Sequence, residues 1–384
     1  MRVNKRLILF LTALLILAGC IDPYTPDLGK GNDMIVINGR ITDKEGYQYI
    51  EVSRSSDIYN TTRNPLSGCS IHIEDENQKI FNLAEINEGR YACHMSKEDL
   101  VIGRKYRLSV TTPDNKHYQS DFEELLACPP IDSITFEELH KEFSNPDRDV
   151  KAVQFYVYTN ASGDFAENYM WEMTETWEYH TKYIIGAIYD GKLTPLKVPT
   201  DTFNTCYKSG KISEIFTHST INVTNGRIMK FPLNYVTDET DRLGWTYSLN
   251  VRQYSLSQKA FDYFNTIREL SKETGGMYET QPANISGNIH NIDNPDEKVI
   301  GMFYASSVTE KRIFVKVYYY HYSIFCSPYG LRGEDLLDFL GTLSKSLYPI
   351  YLLFVDFGVF DYAEQECIDC RKYGGTTVKP DYWE

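Results

Sequence analysis

Four residues near the start of the chain, Leu17-Ala18-Gly19-Cys20, place small residues directly before a cysteine. In bacteria this order marks a thiol that is diacylated, with cleavage just before the cysteine. Residues 1–19 have the remaining parts of such a signal, because a basic start precedes an apolar run too short to span a bilayer, which takes about 20 residues. We therefore expect lipidation at Cys20, with a plain signal peptide as the alternative. Acyl chains contribute about 0.8 kcal/mol per buried CH2, so the anchor would be permanent.

The cysteines after Cys20 predict disulfides, because such bonds persist outside the cytoplasm. They are Cys69, Cys93, Cys128, Cys206, Cys326, Cys367 and Cys370. Their number is odd, so at least one thiol is free or pairs with another molecule. Cys367 and Cys370 form the only close pair, and a structural disulfide is the favoured interpretation over inert thiols or metal or redox chemistry. Cys69 and Cys93 lie within one predicted domain and are also candidates for a disulfide.

No catalytic or metal-binding motif is present in the sequence. The eight histidines form no HExxH pair, and there is no G-x-S-x-G elbow, P-loop or dinucleotide fingerprint after a strand. Paired carboxylates such as Glu123-Glu124 are typical of a solvated face in an acidic chain. We therefore predict no catalytic residue, no metal site and no cofactor, and expect a protein that is not an enzyme.

Aromatic residues are the stronger hint of a binding function, since the chain has 30 Tyr, 19 Phe and 4 Trp. Several alternate with other residues along strand-like stretches. Others are consecutive, so their side chains must point to both faces of a strand. The candidates for a binding surface are Tyr156, Tyr158, Trp171, Trp177, Tyr318 and Tyr320. Ordinary packing in a β core is the simpler interpretation, and contact with a ligand is the alternative.

Composition sets the broad class of protein. The chain has 384 residues, of which 42% are hydrophobic and 24% charged, as in a globular protein with a real core. Its net charge of −14 would repel phosphate backbones, so a nucleic-acid partner is excluded. The length predicts about two domains.

The first domain, predicted over residues 33–127, has the pattern of an immunoglobulin-like β-sandwich. Short segments alternate between apolar and polar residues with period 2, separated by Gly-, Asn- and Asp-containing turns. These segments are 35–41, 49–53, 69–73, 80–83, 90–92 and 106–111. Residues 20–32, with two prolines and two glycines, predict an extended tether before this domain.

The second domain, predicted over residues 128–384, begins at Cys128-Pro129-Pro130, where two prolines hold the chain extended. It is also rich in strands, with candidates such as 153–158 and 313–318. A helix is predicted over 257–274 with Ser257 as its N-cap, and a second, shorter one over 333–344. Residues 347–360 are nearly all apolar and predict a buried strand. The predicted fold class is mainly β, a sandwich followed by a larger β-rich domain with one or two helices.

Several motifs resemble those of a lipoprotein family of Bacteroidota, domain of unknown function 4249. They begin with Val36-Ile37-Asn38-Gly39-Arg40-Ile41-Thr42-Asp43 and continue with the stretch from Glu269 to Pro282, Ile285-Ser286-Gly287-Asn288-Ile289, Asn294-Pro295-Asp296-Glu297 and Gly301-Met302-Phe303-Tyr304-Ala305-Ser306-Ser307. The tail Cys367-Ile368-Asp369-Cys370-Arg371, Gly374-Gly375-Thr376 and Lys379-Pro380-Asp381-Tyr382-Trp383 resembles the C-terminal pattern of that family. The resemblance implies an outer-membrane lipoprotein, often encoded beside TonB-dependent transporters, and supplies no reaction.

The functional expectation is therefore a lipid-anchored, non-enzymatic accessory or binding protein of the outer membrane, working with a TonB-dependent transporter barrel in nutrient capture. The cell surface is the favoured side of that membrane, and the periplasmic face is the alternative. A secreted glycan-active hydrolase that uses two of the many carboxylates is the second hypothesis. It would need two carboxyl groups about 5–9.5 Å apart, one with a raised pKa.

Overall fold

The computed structural model describes residues 34–55, 64–141, 150–273, 285, 287–316 and 326–383. Within these ranges the protein is mainly β, with four sheets and two α-helices. The predicted fold class is confirmed, because a β-sandwich precedes a larger β-rich part that carries both helices. Predictions for residues 1–32, including lipidation of Cys20, and for Tyr318 and Tyr320 lie outside the described residues.

The first part of the chain forms the strands that periodicity predicts. They are β1 (Ile35–Thr42), β2 (Gly46–Arg54), β3 (Asn64–Pro65), β4 (Ser70–Asp75), β5 (Ile80–Asn87), β6 (Arg90–Met95), β7 (Lys105–Thr111), β8 (His117–Ser120) and β9 (Glu123–Glu124). Neighbouring strands follow the order β8-β7-β4-β5-β6-β2-β1. The strand β5 pairs with β4 through its first half and with β6 through its second half, so it passes from one layer of the sandwich to the other.

Alternation along each strand directs one set of side chains into the core of the sandwich. Ile37 and Ile50 come from one layer, Ile73 and Leu108 from the other, and all are fully buried in one cluster. The intervening residues of β1 and β2 face outward, away from this core.

The second part of the chain contributes longer strands and both helices. They are β10 (Ile131–Lys141), β11 (Val150–Asn160), β12 (Asn168–His180), β13 (Ile185–Tyr189), β14 (Leu193–Thr200), β15 (Thr205–Ser219), β16 (Arg227–Thr237), β17 (Thr246–Leu256), α1 (Gln258–Glu273), β18 (Ile289–Asn291), β19 (Val299–Ile300), β20 (Phe303–Ser306), β21 (Val308–Lys316), α2 (Gly333–Thr342), β22 (Ile350–Asp356) and β23 (Val359–Asp361). Its sheets have the orders β10-β11-β16, β15-β12-β17-β21 and β14-β13-β22-β23.

The sheets β10-β11-β16 and β15-β12-β17-β21 pack face to face through aromatic residues. Phe155 of β11 stacks on Tyr247 of β17 with ring centroids 5.6 Å apart, and Trp171 of β12 stacks on Phe231 of β16 at 4.8 Å. Offset stacking of this kind adds about 0.5–1.5 kcal/mol per pair to the burial of the rings. This aromatic core fixes the sheet that forms one wall of the site.

Residues 289–306 leave the second part and return to the sandwich. The strand β18 pairs with β8, and β19 and β20 pair in parallel with β1. Asn288 is fully buried and holds the returning segment in place, because its Nδ2 donates to Glu123 Oε1 at 2.8 Å and to the Phe303 carbonyl at 2.7 Å. Three strands from beyond residue 128 therefore join the first sheet, a pairing on which local periodicity carries no information.

The predicted helices and the apolar C-terminal strand are present with small shifts. The helix α1 begins after Ser257, whose Oγ accepts the Ala260 N–H at 3.3 Å, as expected of an N-cap. Its apolar face packs against β15, β12 and β17, and its Phe264 ring contacts Tyr304 of β20. The second predicted helix corresponds to α2, and the apolar stretch 347–360 contains β22 and the start of β23.

The disulfides join the C-terminal tail to distant strands. Cys370 pairs with Cys206 of β15, and Cys367 pairs with Cys326, so both residues of the predicted close pair form structural disulfides but not with each other. The paired cysteines are 164 residues apart in the first bond and 41 residues apart in the second. Tertiary packing brings them together, so their spacing in the sequence does not reveal the pairing.

The predicted disulfide between Cys69 and Cys93 is wrong, because both are free thiols. Cys69 lies just before β4 and Cys93 lies in β6, with β5 between these strands in the sheet order. Strands that are next-nearest neighbours lie about 10 Å apart, which exceeds the Cα–Cα distance of a disulfide. Burial raises the pKa of Cys93 to about 11, so this thiol stays protonated and unreactive near neutral pH.

The return of residues 289–306 to β1 depends on glycines that allow close contact between backbones. A Cβ at Gly287 would overlap the carbonyl oxygen of Gly301, and a Cβ at Gly301 would overlap the carbonyl oxygen of Ile37. Gly301 also has φ +125°, a conformation that L side chains rarely adopt. The parallel pairing of β1 with β19 and β20 therefore requires glycine at these positions.

We predict that Gly301→Ala lowers the free energy of unfolding by at least about 2 kcal/mol, because it adds both strain and overlap with backbone. Urea unfolding followed by tryptophan fluorescence measures this change. Gly341→Ala in α2 is the control, since a Cβ there meets no atom within 4 Å. It should leave stability unchanged or raise it by up to about 1 kcal/mol. A Gly301→Ala protein as stable as the wild type would contradict the inferred close packing.

Candidate functional site

A cleft of about 800 Å³ lies between the sandwich and the second part of the chain. Its residues come from the outward face of the first sheet, the outer face of the sheet β15-β12-β17-β21, and α1. The lining residues include Asn38, Arg40, Lys44, Tyr47, Tyr49, Glu51, Arg90, Glu172, Lys211, Arg252, Tyr254, Phe264, Ile267, Met302, Tyr304, Val308 and Glu310. A volume of this size suits a small organic ligand.

Strand register builds the first wall of the cleft. In β1 the isoleucines point into the sandwich core, so the alternating residues, including Arg40, point outward. The register places Tyr49 of β2 on one side of Arg40 and Tyr304 of β20 on the other. One row across three strands therefore presents an aromatic ring, a guanidinium and a second aromatic ring to the cleft.

The second wall is formed by β12, β15, β17 and β21. Glu172 lies on β12, Lys211 on the neighbouring strand β15, Tyr254 on β17 and Glu310 on β21. The apolar side of α1 adds Phe264, whose ring meets Tyr304 edge to face at 5.4 Å. This wall is therefore polar along the strands and apolar beside the helix.

Arg40 and Glu172 join the two walls. The Arg40 Nη1 lies 2.8 Å from the Glu172 Oε2, and the guanidinium lies over the ring of Tyr254 at 4.8 Å. The Tyr254 hydroxyl donates to the same carboxylate at 3.2 Å. Lys211 is a second cation beside it, with its Nζ 3.7 Å from Glu172 Oε1. One carboxylate from the second part is thus held by a cation from the sandwich.

Electrostatics keep both members of this pair charged. Burial raises the pKa of the Glu172 carboxyl, but the charge and hydrogen bond of Arg40, with smaller contributions from Lys211 and Tyr254, outweigh it, so the pKa lies below its ordinary value. Burial also opposes the charge of Arg40, and the electrostatic effects of Tyr304, Tyr254 and Glu172 raise its pKa above the ordinary value. The pair is therefore ionised at neutral pH.

The rim of the cleft carries exposed tyrosines. Tyr47 is 61% exposed and Tyr49 is 40% exposed, both unusual for large rings on a strand. The Arg90 guanidinium covers the face of Tyr49 at 4.5 Å, and His94 meets Tyr47 edge to face at 5.5 Å. The Tyr47 ring therefore keeps an open face beside the cleft, where a ring or apolar group of a ligand can stack.

The four predicted aromatic residues that the structure describes, Tyr156, Tyr158, Trp171 and Trp177, do not line this cleft. Trp171 is buried, and its Nε1 donates to Gln253 Oε1 at 3.0 Å. Trp177 packs against the same core. Tyr156 and Tyr158 are half-buried on the outward side of β11, where Lys230 covers the Tyr156 ring at 4.9 Å. For the two tryptophans the packing interpretation is the one that the structure supports.

Sequence reasoning missed the rim tyrosines although their signal was present. Tyr47, Tyr49 and Glu51 alternate with buried residues along β2, so they occupy its outward face. Alternation reveals that such a face exists but not that another part of the chain covers it.

The paired carboxylates Glu123 and Glu124 do not line the cleft. Glu123 is 5% exposed, and burial raises its pKa although Asn288 donates to it.

The described part of the chain contains no cluster of three or more His, Cys, Asp or Glu side chains suited to a metal ion. The most distinctive histidine, His180, stacks on Trp245 with ring centroids 3.8 Å apart and contacts Glu178 at 2.5 Å. No helix among the described residues is long and apolar enough to cross a membrane.

Fold and site together define a β-rich protein with a ligand-sized cleft between two parts of one chain. The chain belongs to the family described as domain of unknown function (DUF4249), which matches residues 21–312. No curated protein matches the chain.

Two of the solved structures that resemble the chain do so only remotely. Trypsin-activated alpha-2-macroglobulin from Escherichia coli is 10% identical with a TM-score of 0.20, and the match covers 59% of this chain and 14% of that one. The chain therefore spans about one seventh of the length of that protein. A bacterial ice-binding adhesin is 9% identical with a TM-score of 0.15, over 72% of this chain and 62% of the adhesin chain.

We predict that Arg40 and Glu172 stabilise each other strongly across the cleft. A double-mutant cycle with Arg40→Gln and Glu172→Gln should give a coupling free energy of about 2 kcal/mol at pH 7, because loss of Arg40 leaves a largely buried carboxylate. The control cycle uses Arg252→Gln and Glu310→Gln, a pair on the same cleft whose side chains are 48% and 55% exposed. Its coupling should stay below about 1 kcal/mol.

The coupling should also depend on pH with a defined sign. Because the pKa of Glu172 is lower in the folded state, its stabilisation is fully present above the unfolded pKa of about 4.3 and is lost as pH falls through the folded pKa. Urea titrations at pH 7, 5 and 3.5 measure this. Coupling that does not exceed the control, or that does not decrease in acid, would contradict the role of this pair.

Proposed function

We propose that this protein is a non-enzymatic binding component of the outer membrane, anchored through lipid on Cys20, that works with a TonB-dependent transporter barrel in nutrient capture. The observation that carries the binding role is the cleft of about 800 Å³, lined by tyrosines and charged groups from both parts of the chain. Binding sites commonly occupy such junctions and combine apolar surface with a few placed polar groups.

The charged groups of the cleft favour binding over hydrolysis. Each of its carboxylates faces a guanidinium: Glu172 faces Arg40 at 2.8 Å, Glu310 faces Arg252 at 3.1 Å and Glu51 faces Arg90 at 3.8 Å. The pKa of Glu172 and that of Glu310 lie below the ordinary value, where a glycosidase acid requires a raised one. Such groups serve to hold a ligand rather than to donate a proton to it.

Membrane attachment and the barrel partner are supported by the start of the sequence and by the family resemblance. The order Leu17-Ala18-Gly19-Cys20 after a basic and apolar segment is typical of acylation. An anchor confines the protein to the plane of its partner, so modest contacts with a barrel suffice for association. The cell surface is the proposed side of the membrane.

The test is purification of the full chain from its own cells at native expression level, in mild detergent. We expect intact-mass analysis to find fatty acyl chains on Cys20 and expect an outer-membrane barrel to copurify. Cys20→Ser should abolish the acyl mass, release the protein from the membrane and lose the barrel.

Cys69→Ser is the matched control, since Cys69 is a free thiol and its substitution leaves the anchor intact. It should behave like the wild type in every measurement. Recovery of an unacylated wild-type protein, or of an acylated one without any barrel, would overturn the corresponding half of the proposal.

A further inference from the structure

The charges that line the cleft have the opposite balance to the chain as a whole. The chain carries 53 acidic and 39 basic residues. Among the described residues, the basic lining residues outnumber the acidic ones. The basic residues are Arg40, Lys44, Arg90, Lys211 and Arg252, and the acidic ones are Glu51, Glu172 and Glu310. A basic cleft in an acidic protein concentrates positive potential at one place on its surface.

The arginines of the cleft are matched by its carboxylates, which leaves two ammonium groups in excess. The Lys211 side chain is 67% exposed, and its only carboxylate within ion-pair distance among the described residues is Glu172, which Arg40 already neutralises at closer range. Lys44 has no ion pair within the described ranges. Its charge helps to lower the pKa of Glu310, but the Glu310 carboxylate pairs with Arg252. Lys44 lies in the turn between β1 and β2 and Lys211 on β15, so each wall supplies one ammonium.

The cleft also has apolar surface that a bare ion would not use. Met302 and Val308 are buried at its base, Phe264 and Ile267 come from the apolar side of α1, and Tyr47 is 61% exposed at the rim. Burial of apolar area contributes about 25 cal/mol per Å². A ligand that fills this space therefore carries an apolar or ring-shaped body as well as charge.

We propose that the cleft binds an organic anion, in which a carboxylate, sulfonate or phosphate group is joined to a ring or apolar body, and that Lys44 and Lys211 determine this specificity. This inference rests on the proposed binding function of the cleft and adds the ligand class. The lysines attract the anionic group, and the tyrosines with the apolar residues beside α1 contact the body.

Two dyes with one ring system test this proposal. 8-Anilinonaphthalene-1-sulfonate carries a sulfonate on the same ring system as the uncharged N-phenyl-1-naphthylamine. Each is titrated by fluorescence into the full-length protein in uncharged detergent, with empty micelles subtracted. The Lys44→Gln/Lys211→Gln variant should bind the sulfonate about tenfold more weakly than wild type, from two exposed charge contacts. Its affinity for the uncharged dye should change less than about twofold.

Lys97→Gln/Lys345→Gln is the matched control, because it removes two exposed lysines outside the cleft and the same total charge. It should bind both dyes like the wild type. Equal affinity of the cleft variant and the wild type for the sulfonate would overturn the anion specificity and leave the cleft a site for uncharged ligands. Failure of the wild type to bind either dye above the micelle background would overturn the binding function and the ligand class together.

Discussion

The parallel pairing of β20 with β1 joins the sandwich to the second part of the chain. The Gly39 N–H donates to the Met302 carbonyl at 3.0 Å, and the register then continues to Thr42 and Ser306. The chain reaches this edge only after completing most of the second part, so the two parts cannot behave as independent domains on a linker. Their shared sheet fixes the distance between the outward face of β1 and the outer face of β17, and the space between those faces is the cleft.

The same pairing explains why charged residues occur at the base of the cleft. Tyr304 enters the sheet beside Arg40, and Tyr254 and Glu172 approach from the opposite wall, so the guanidinium is surrounded by rings and one carboxylate. A partly buried ion pair adds little net stability over an apolar contact, yet it penalises every arrangement that leaves one charge unpaired. Arg40 therefore fixes how the walls face each other. A site whose walls are already placed loses less entropy when a ligand binds.

Local signals in the sequence were sufficient for the strands and helices and insufficient for their partners. Alternation along β1, β2 and β7 and the N-cap Ser257 are read from neighbouring residues, so the sandwich strands and α1 were predictable. The return of β18, β19 and β20 and the pairing of Cys206 with Cys370 depend on contacts between residues far apart in sequence. Alternation was sufficient to place the rim tyrosines on the outward face of β2. The cleft forms only because the second part of the chain covers that face, and alternation does not predict this. Trp171 illustrates the converse, because an alternating aromatic residue packs into a core as readily as it lines a surface.

Hydrogen–deuterium exchange followed by mass spectrometry on the full-length protein tests most directly whether the two parts form one unit around the cleft. Peptides covering residues 35–42 and 299–306 report the two strands that share the decisive pairing. Under native conditions amides of both segments should exchange together, through the same cooperative opening, and at rates close to those of the sandwich core at residues 106–111. Exchange of residues 299–306 together with the second part, while residues 35–42 stay protected with the sandwich, would show that the parts separate and that the cleft is not a fixed site.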